Sequence, residues 1–70
     1  MQLGNNIRRL RFESNEMSQE ELAAAVNVTR QTIHSIEKGK FIPSALLAFR
    51  IANVFGKKME EVFYIIDNQE

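Results

Sequence analysis

Between Thr29 and Lys40 the sequence concentrates hydrogen-bonding side chains at a spacing that a helix would sort onto two sides. At about 100° per residue, Thr32, Ile33, Ile36 and Glu37 fall on one side, and Arg30, Gln31, His34, Ser35 and Lys38 on the other. The first side can pack. The second carries groups suited to planar polar partners: a guanidinium donates two parallel hydrogen bonds, a carboxamide donates one and accepts one, and His34 and Ser35 follow one turn later. Taken alone, such a face implies only a solvated surface.

Around this run the sequence predicts five helices. The first, roughly residues 5–13, sets Ile7 and Leu10 three apart among Arg8, Arg9 and Arg11, an amphipathic pattern that faces a core. It ends in the polar run Ser14, Asn15, Glu16. Ser18 and Glu21 have capping-box spacing, and Met17 can staple against Leu22, so a second helix starts there and stops at Asn27, which tolerates the left-handed conformation. Only Val28 separates that stop from the next N-cap, Thr29. The third helix, residues 30–38, ends at Gly39. Pro43 and Ser44 open a fourth that runs through Leu47, Ile51 and Phe55 to Gly56, and a short fifth covers residues 59–63. The β-branched Ile65 and Ile66 beside Tyr64 favour a short strand after it.

Composition limits what such a chain can be. With 70 residues there is room for one domain, which buries only about 60% of its unfolded surface and must rest on efficient packing or a second subunit. The sequence has no cysteine, and His34 is its one histidine, so neither a disulfide nor a thiolate metal site is available, and no cofactor is implied. No apolar stretch approaches bilayer length and the first residues lack a signal-like run, which makes the cytoplasm the expectation and a membrane role not. Nine basic residues balance nine acidic ones. The distribution is uneven: acids gather at Glu16, Glu20 and Glu21 and again at Glu60, Glu61, Asp67 and Glu70, whereas residues 26–40 hold Arg30, Lys38 and Lys40 against the single acid Glu37.

The stretch from Leu22 to Gly39, with Ser18-Gln19-Glu20-Glu21 before it and Lys40, Pro43 and Ser44 after it, resembles the helix-turn-helix of the Cro/cI (lambda-repressor-like) superfamily. The likeness extends from Ile7 to Phe63 and is greatest to compact bacterial regulators made of this domain alone. It implies an all-α, five-helix DNA-binding domain at residues 1–63, followed by a tail at 64–70 that could form a strand. It also implies a sequence-specific regulator of transcription, a repressor, with double-stranded DNA as its partner.

The major groove admits one helix, and residues near that helix's N-terminus come closest to the base edges. Arg30 and Gln31 stand there, suited to guanine O6/N7 and adenine N6/N7 respectively, with His34 and Ser35 as further base contacts. Phosphates would be met by helix N-termini and the basic loop, which points to Thr29, Thr32, Lys38, Lys40 and Ser44. By resemblance, Gln19 anchors the DNA backbone, and Arg11 pairs with Glu37 as a structural brace. The segment from Arg11 to Gln19 is one residue longer than usual in such domains, so Asn15 and Glu16 are expected to loop out.

Two apolar features ask for a partner surface. Leu46 stands where members of that family usually carry a polar residue, and Tyr64, Ile65 and Ile66 follow the last helix the minimal fold requires. They suggest a two-fold homodimer whose tails, together with the first few residues, pair as strands, presenting two reading helices to half-sites about 34–36 Å apart. The rival from another class is a protein-interaction module of the same fold, such as an antitoxin. An enzyme fits less well, because the acids lie in helix first turns or at the C-terminus, where capping accounts for them.

Overall fold

A computed structural model of the chain describes residues 2–67. The elements run β1 (Gln2–Asn5), α1 (Ile7–Glu13), α2 (Gln19–Val26), α3 (Arg30–Glu37), α4 (Ala45–Val54), α5 (Met59–Val62) and β2 (Phe63–Ile66). Each helix contributes apolar side chains to one core, in which Ile7, Leu22, Ile33, Ile36, Ile51 and Val62 are fully enclosed. Among the described residues, no polar or charged residue is buried. The interior is thus held by apolar burial, worth about 1.5–3 kcal/mol for each large aliphatic side chain.

Local chemistry sets the helix ends. Ser18 Oγ accepts from the Glu21 amide at 2.9 Å while the Glu21 carboxylate accepts from the Ser18 amide at 2.8 Å, the reciprocal box that starts α2. At the other end Asn27 is left-handed (φ 63°), its N–H reaches Ala24 O at 3.3 Å, and the Val28 N–H reaches Ala23 O at 2.9 Å. This pair of bonds is a Schellman closure, which satisfies carbonyls the helix would otherwise orphan. The same closure recurs at Gly39 and Gly56, both with positive φ. Thr29 then caps α3 through Thr32 N at 3.2 Å, and Ser44 caps α4 through Leu47 N at 3.2 Å. Three residues therefore suffice to turn the chain from α2 into α3.

Between α1 and α2, Asn15 (φ 63°) and Glu16 (φ 56°) are both left-handed and exposed, and the Met17 N–H returns to Arg11 O at 2.9 Å. The extra length is taken up as an outward loop, so α1 keeps its register.

The two ends of the fold differ from the sequence-based expectation. Residues 2–5 form a strand, and α1 begins at Ile7 instead of Asn5, because Asn5 Oδ1 caps the Ile7 amide at 3.1 Å while its backbone belongs to β1. The last helix stops at Val62, and β2 starts at Phe63, across the boundary expected at 63/64. β2 pairs antiparallel with β1 of its own chain, Gln2 opposite Ile66 and Asn5 opposite Phe63, where pairing between two copies was expected. The helical domain therefore includes a two-stranded sheet. Residues 68–70 of the expected tail lie outside the described residues.

Candidate nucleic-acid interface

α3 owes its orientation to contacts on three sides. Ile33 and Ile36 are buried below it. At its C-terminal end the Asn5 carboxamide donates to Ile36 O at 3.0 Å, which ties β1 to the helix across 31 residues of sequence. On its flank, Arg11 and Glu37 form a two-pronged ion pair, Nε to Oε2 at 2.7 Å and Nη2 to Oε1 at 3.1 Å, while Arg11 Nη1 donates to Met17 O at 2.8 Å. Their side chains are 14% and 8% exposed, so this pair is largely shielded from water and salt. All three anchors lie off the face of α3 that points outward.

That outward face carries Arg30, Gln31, His34 and Lys38, all exposed, and Ser35, half-buried. Thr32 is half-buried at its edge, with Oγ1 3.0 Å from the Thr29 hydroxyl. Thr29, Lys40 and Ser44 are exposed. Gln31 and Ser35, together with Thr32, border a hollow whose other wall is Lys40 and Phe41. Arg30, His34 and Lys38 border a groove with Asn5, Arg8, Arg11, Gln19 and Glu37. One acid faces four guanidinium and ammonium groups in that groove, and Arg11 is matched to it. A chain with zero net charge thus carries a locally positive surface alongside α3.

Gln19 sits at the hub. Its Nε2 donates to Glu37 Oε1 at 3.1 Å, its Oε1 accepts from Arg30 Nη1 at 3.4 Å, and His34 Nδ1 lies 3.5 Å away. It joins the start of α2 to both ends of α3. These bonds come in addition to the DNA-backbone role that the resemblance implies for Gln19, and the link from Asn5 to Ile36 depends on a strand not legible locally.

Tyr64, Ile65 and Ile66 lie on β2; the first two are exposed and Ile66 is half-buried. A Cβ added to Gly4 would come within 2.3 Å of Tyr64 Cε1, so the phenol ring lies directly over that glycine. No helix among the described residues is long and apolar enough to cross a membrane, and among them no group of three or more His, Cys, Asp or Glu could hold a metal ion.

Two helices joined by a three-residue turn, the second braced from behind with its polar face outward, define a helix-turn-helix unit. The chain belongs to the helix-turn-helix family, whose model matches residues 7–62. It is 54% identical over 48 residues to the Bacillus subtilis protein YgzD, an uncharacterized HTH-type transcriptional regulator, covering 69% of this chain and 73% of that one. It is 51% identical over 53 residues to an uncharacterized HTH-type transcriptional regulator of Methanocaldococcus jannaschii, MJ0272, covering 76% and 80%. Control protein C.MunI from Mycoplasma sp is similar over nearly the full length, with 32% identity over 69 residues, 99% of this chain and 93% of that protein.

Proposed function

We propose that this protein binds double-stranded DNA in a sequence-specific manner, with α3 in the major groove, and regulates transcription as a homodimeric repressor. The observation that carries this reading is the bracing of α3. Arg11, Gln19, Glu37 and Asn5 hold the helix by its flank and end, which leaves Arg30, Gln31, His34 and Ser35 directed outward beside a positive groove. A helix held this way does not have to be reoriented to bring its side chains to base edges, so less of the contact energy is lost on binding.

In this reading Arg30 and Gln31, in the first turn, read guanine and adenine edges, while His34 and Ser35 reach the next base pair. Thr29, Thr32, Lys38, Lys40 and Ser44 meet phosphates on either side. Gln19 takes part through its second amide hydrogen: one Nε2–H is committed to Glu37, and the other, on the side of the exposed His34 ring, is the one a phosphate would accept. Few cations per copy means modest affinity for one half-site. Two copies on a near-palindromic site, with half-sites about 34–36 Å apart, supply the rest. Occupying such a site excludes other proteins from it, the simplest route to repression, and the target places its work in the cytoplasm.

Selection of bound duplexes from a random library tests the proposal. A near-palindromic consensus should emerge; enrichment of no sequence over the starting pool rules it out.

A further inference from the structure

Phe41 belongs neither to the core nor to the set of polar contacts proposed for DNA, yet its ring is 48% exposed beside α3. The turn that closes α3 puts it there. Gly39, with φ at 76°, donates its N–H to Ile36 O at 3.0 Å, and the Lys40 N–H reaches Ser35 O at 2.9 Å. That closure ties Lys40 to the last turn of α3, and Phe41 is the next residue. Phe41 and Lys40 consequently form one wall of a hollow whose other wall is Gln31, Thr32 and Ser35. Other exposed rings stand in other surroundings: Phe12 borders a hollow with Arg8 and Met17, and the Tyr64 ring lies over Gly4.

The walls of the Phe41 hollow are of mixed chemistry. Gln31 and Ser35, four residues apart and so neighbours on the helix surface, are among the side chains proposed to meet base edges. The Thr32 hydroxyl is engaged with that of Thr29 at 3.0 Å, which leaves its methyl as the uncommitted end. Lys40 adds a cation and Phe41 an apolar ring. With α3 in the major groove, this ring is carried against DNA along with Gln31. The groove offers it one apolar counterpart among the base edges, the C5-methyl group of thymine; every other edge group there is a hydrogen-bond donor or acceptor. Sugar carbons are apolar too, but they belong to the backbone, whereas this hollow is walled by side chains placed at the bases.

We propose that the hollow between Phe41 and α3 is a methyl-reading site, which takes the C5-methyl group of a thymine or 5-methylcytosine in or next to the base pair that Gln31 reads. Phe41 is then a specificity-determining residue outside the reading helix. This inference rests on the DNA-binding reading of α3 and adds to it a preference carried by an uncharged, apolar contact.

Anisotropy titration of the full chain against the duplex selected from the random library tests the proposal. Each thymine of a half-site is exchanged singly for deoxyuridine, which removes the methyl group and keeps every hydrogen-bonding group. The wild type should lose about fourfold in affinity at one such position, the effect of leaving one methyl group unburied. The loss should be the same at low and high salt, because no charge is involved. Phe41→Ala, at an exposed position, should no longer distinguish thymine from uracil there, while Lys40→Ala should. With 5-methylcytosine at that position the wild type should bind about fourfold more tightly than with cytosine, and Phe41→Ala should bind the two alike. Each readout is a ratio of two duplexes on one protein, so a general loss of stability or affinity does not imitate it.

A selected site without a uracil-sensitive thymine would overturn the proposal. So would a uracil effect that persists in Phe41→Ala, which would assign the methyl contact to α3 alone. A Phe41→Ala variant that weakens thymine and uracil duplexes equally would reveal a sugar contact and overturn it as well. These outcomes leave the DNA-binding reading standing; a library that yields no enriched duplex removes both.

Discussion

The Arg11 guanidinium grips the Glu37 carboxylate with two hydrogen bonds, although 26 residues separate them. The pair joins the end of α1 to the end of α3, so the angle of α3 depends on a charge held mostly out of water. Removing one partner strands the other. Glu37→Ala should cost about 3 kcal/mol, the lower end for a broken buried pair because both groups keep some exposure. Arg11→Ala should cost about as much, and the double alanine variant should cost less than the two single changes added together. Urea unfolding of the four proteins measures this; additive losses would show that the two side chains act independently.

Gly4 and Tyr64 make a second long-range contact, one that depends on a missing side chain. A methyl group at Gly4 would meet Tyr64 Cε1 at 2.3 Å and Ile66 Cδ1 at 2.9 Å. Gly4→Ala should therefore destabilise by about 1–3 kcal/mol, as overpacking does. Adding Tyr64→Ala removes the nearer obstacle and leaves only the flexible end of Ile66, so the second alanine should cost less on the Gly4→Ala background than alone. Thermal melts of the double-mutant cycle give the answer, at roughly 4–8 °C per kcal/mol for a chain of this size.

The loop before α2 holds two non-glycine residues in the left-handed region. That conformation costs about 1–2 kcal/mol for an ordinary residue and less for asparagine. Glu16→Gly should consequently raise the melting temperature by a few degrees, more than Asn15→Gly does. Equal or negative shifts at both positions would mean that the loop carries no such strain.

At the proposed interface, Gln31→Ala and Lys40→Ala should separate two kinds of contact. Loss of a base-reading amide costs about 1–3 kcal/mol at the preferred base pair and relaxes the preference there. Loss of a phosphate contact weakens all sequences alike and lowers the salt slope by about one. Titration of both variants against the selected site and a single-base variant, at several salt concentrations, tests the assignment. Uniform weakening by both would remove Gln31 from the base-reading set.

Most of the helical frame was legible in the sequence because its punctuation is local. Asn27, Gly39 and Gly56 stop helices by adopting positive φ, and Ser18, Thr29 and Ser44 start them with their own hydroxyls. Each of these choices involves residues within one turn. The outward loop at Asn15 and Glu16 followed from a length comparison with a known family, as did the pairing of Arg11 with Glu37. By contrast, β1 has little strand character of its own: Gly4 and Asn5 are poor strand formers, and pairing with β2 imposes the conformation. The Asn5 link to Ile36 was hidden for the same reason. The covered side of α4 was legible too, because Leu47, Ile51 and Phe55 recur at helical spacing and Leu46 falls outside their stripe.

The antiparallel register of β1 with β2 sets an order of events in synthesis. β1 is made well before its partner and is among the last elements to find its place, because Gln2 waits for Ile66. Short-range contacts along α2, α3 and α4 need no such wait, whereas closing a loop of this length is opposed by chain entropy until its contacts form. A nascent chain can thus shape its reading helix before Asn5 arrives to fasten it. Final tightening of α3 is reserved for molecules translated through β2.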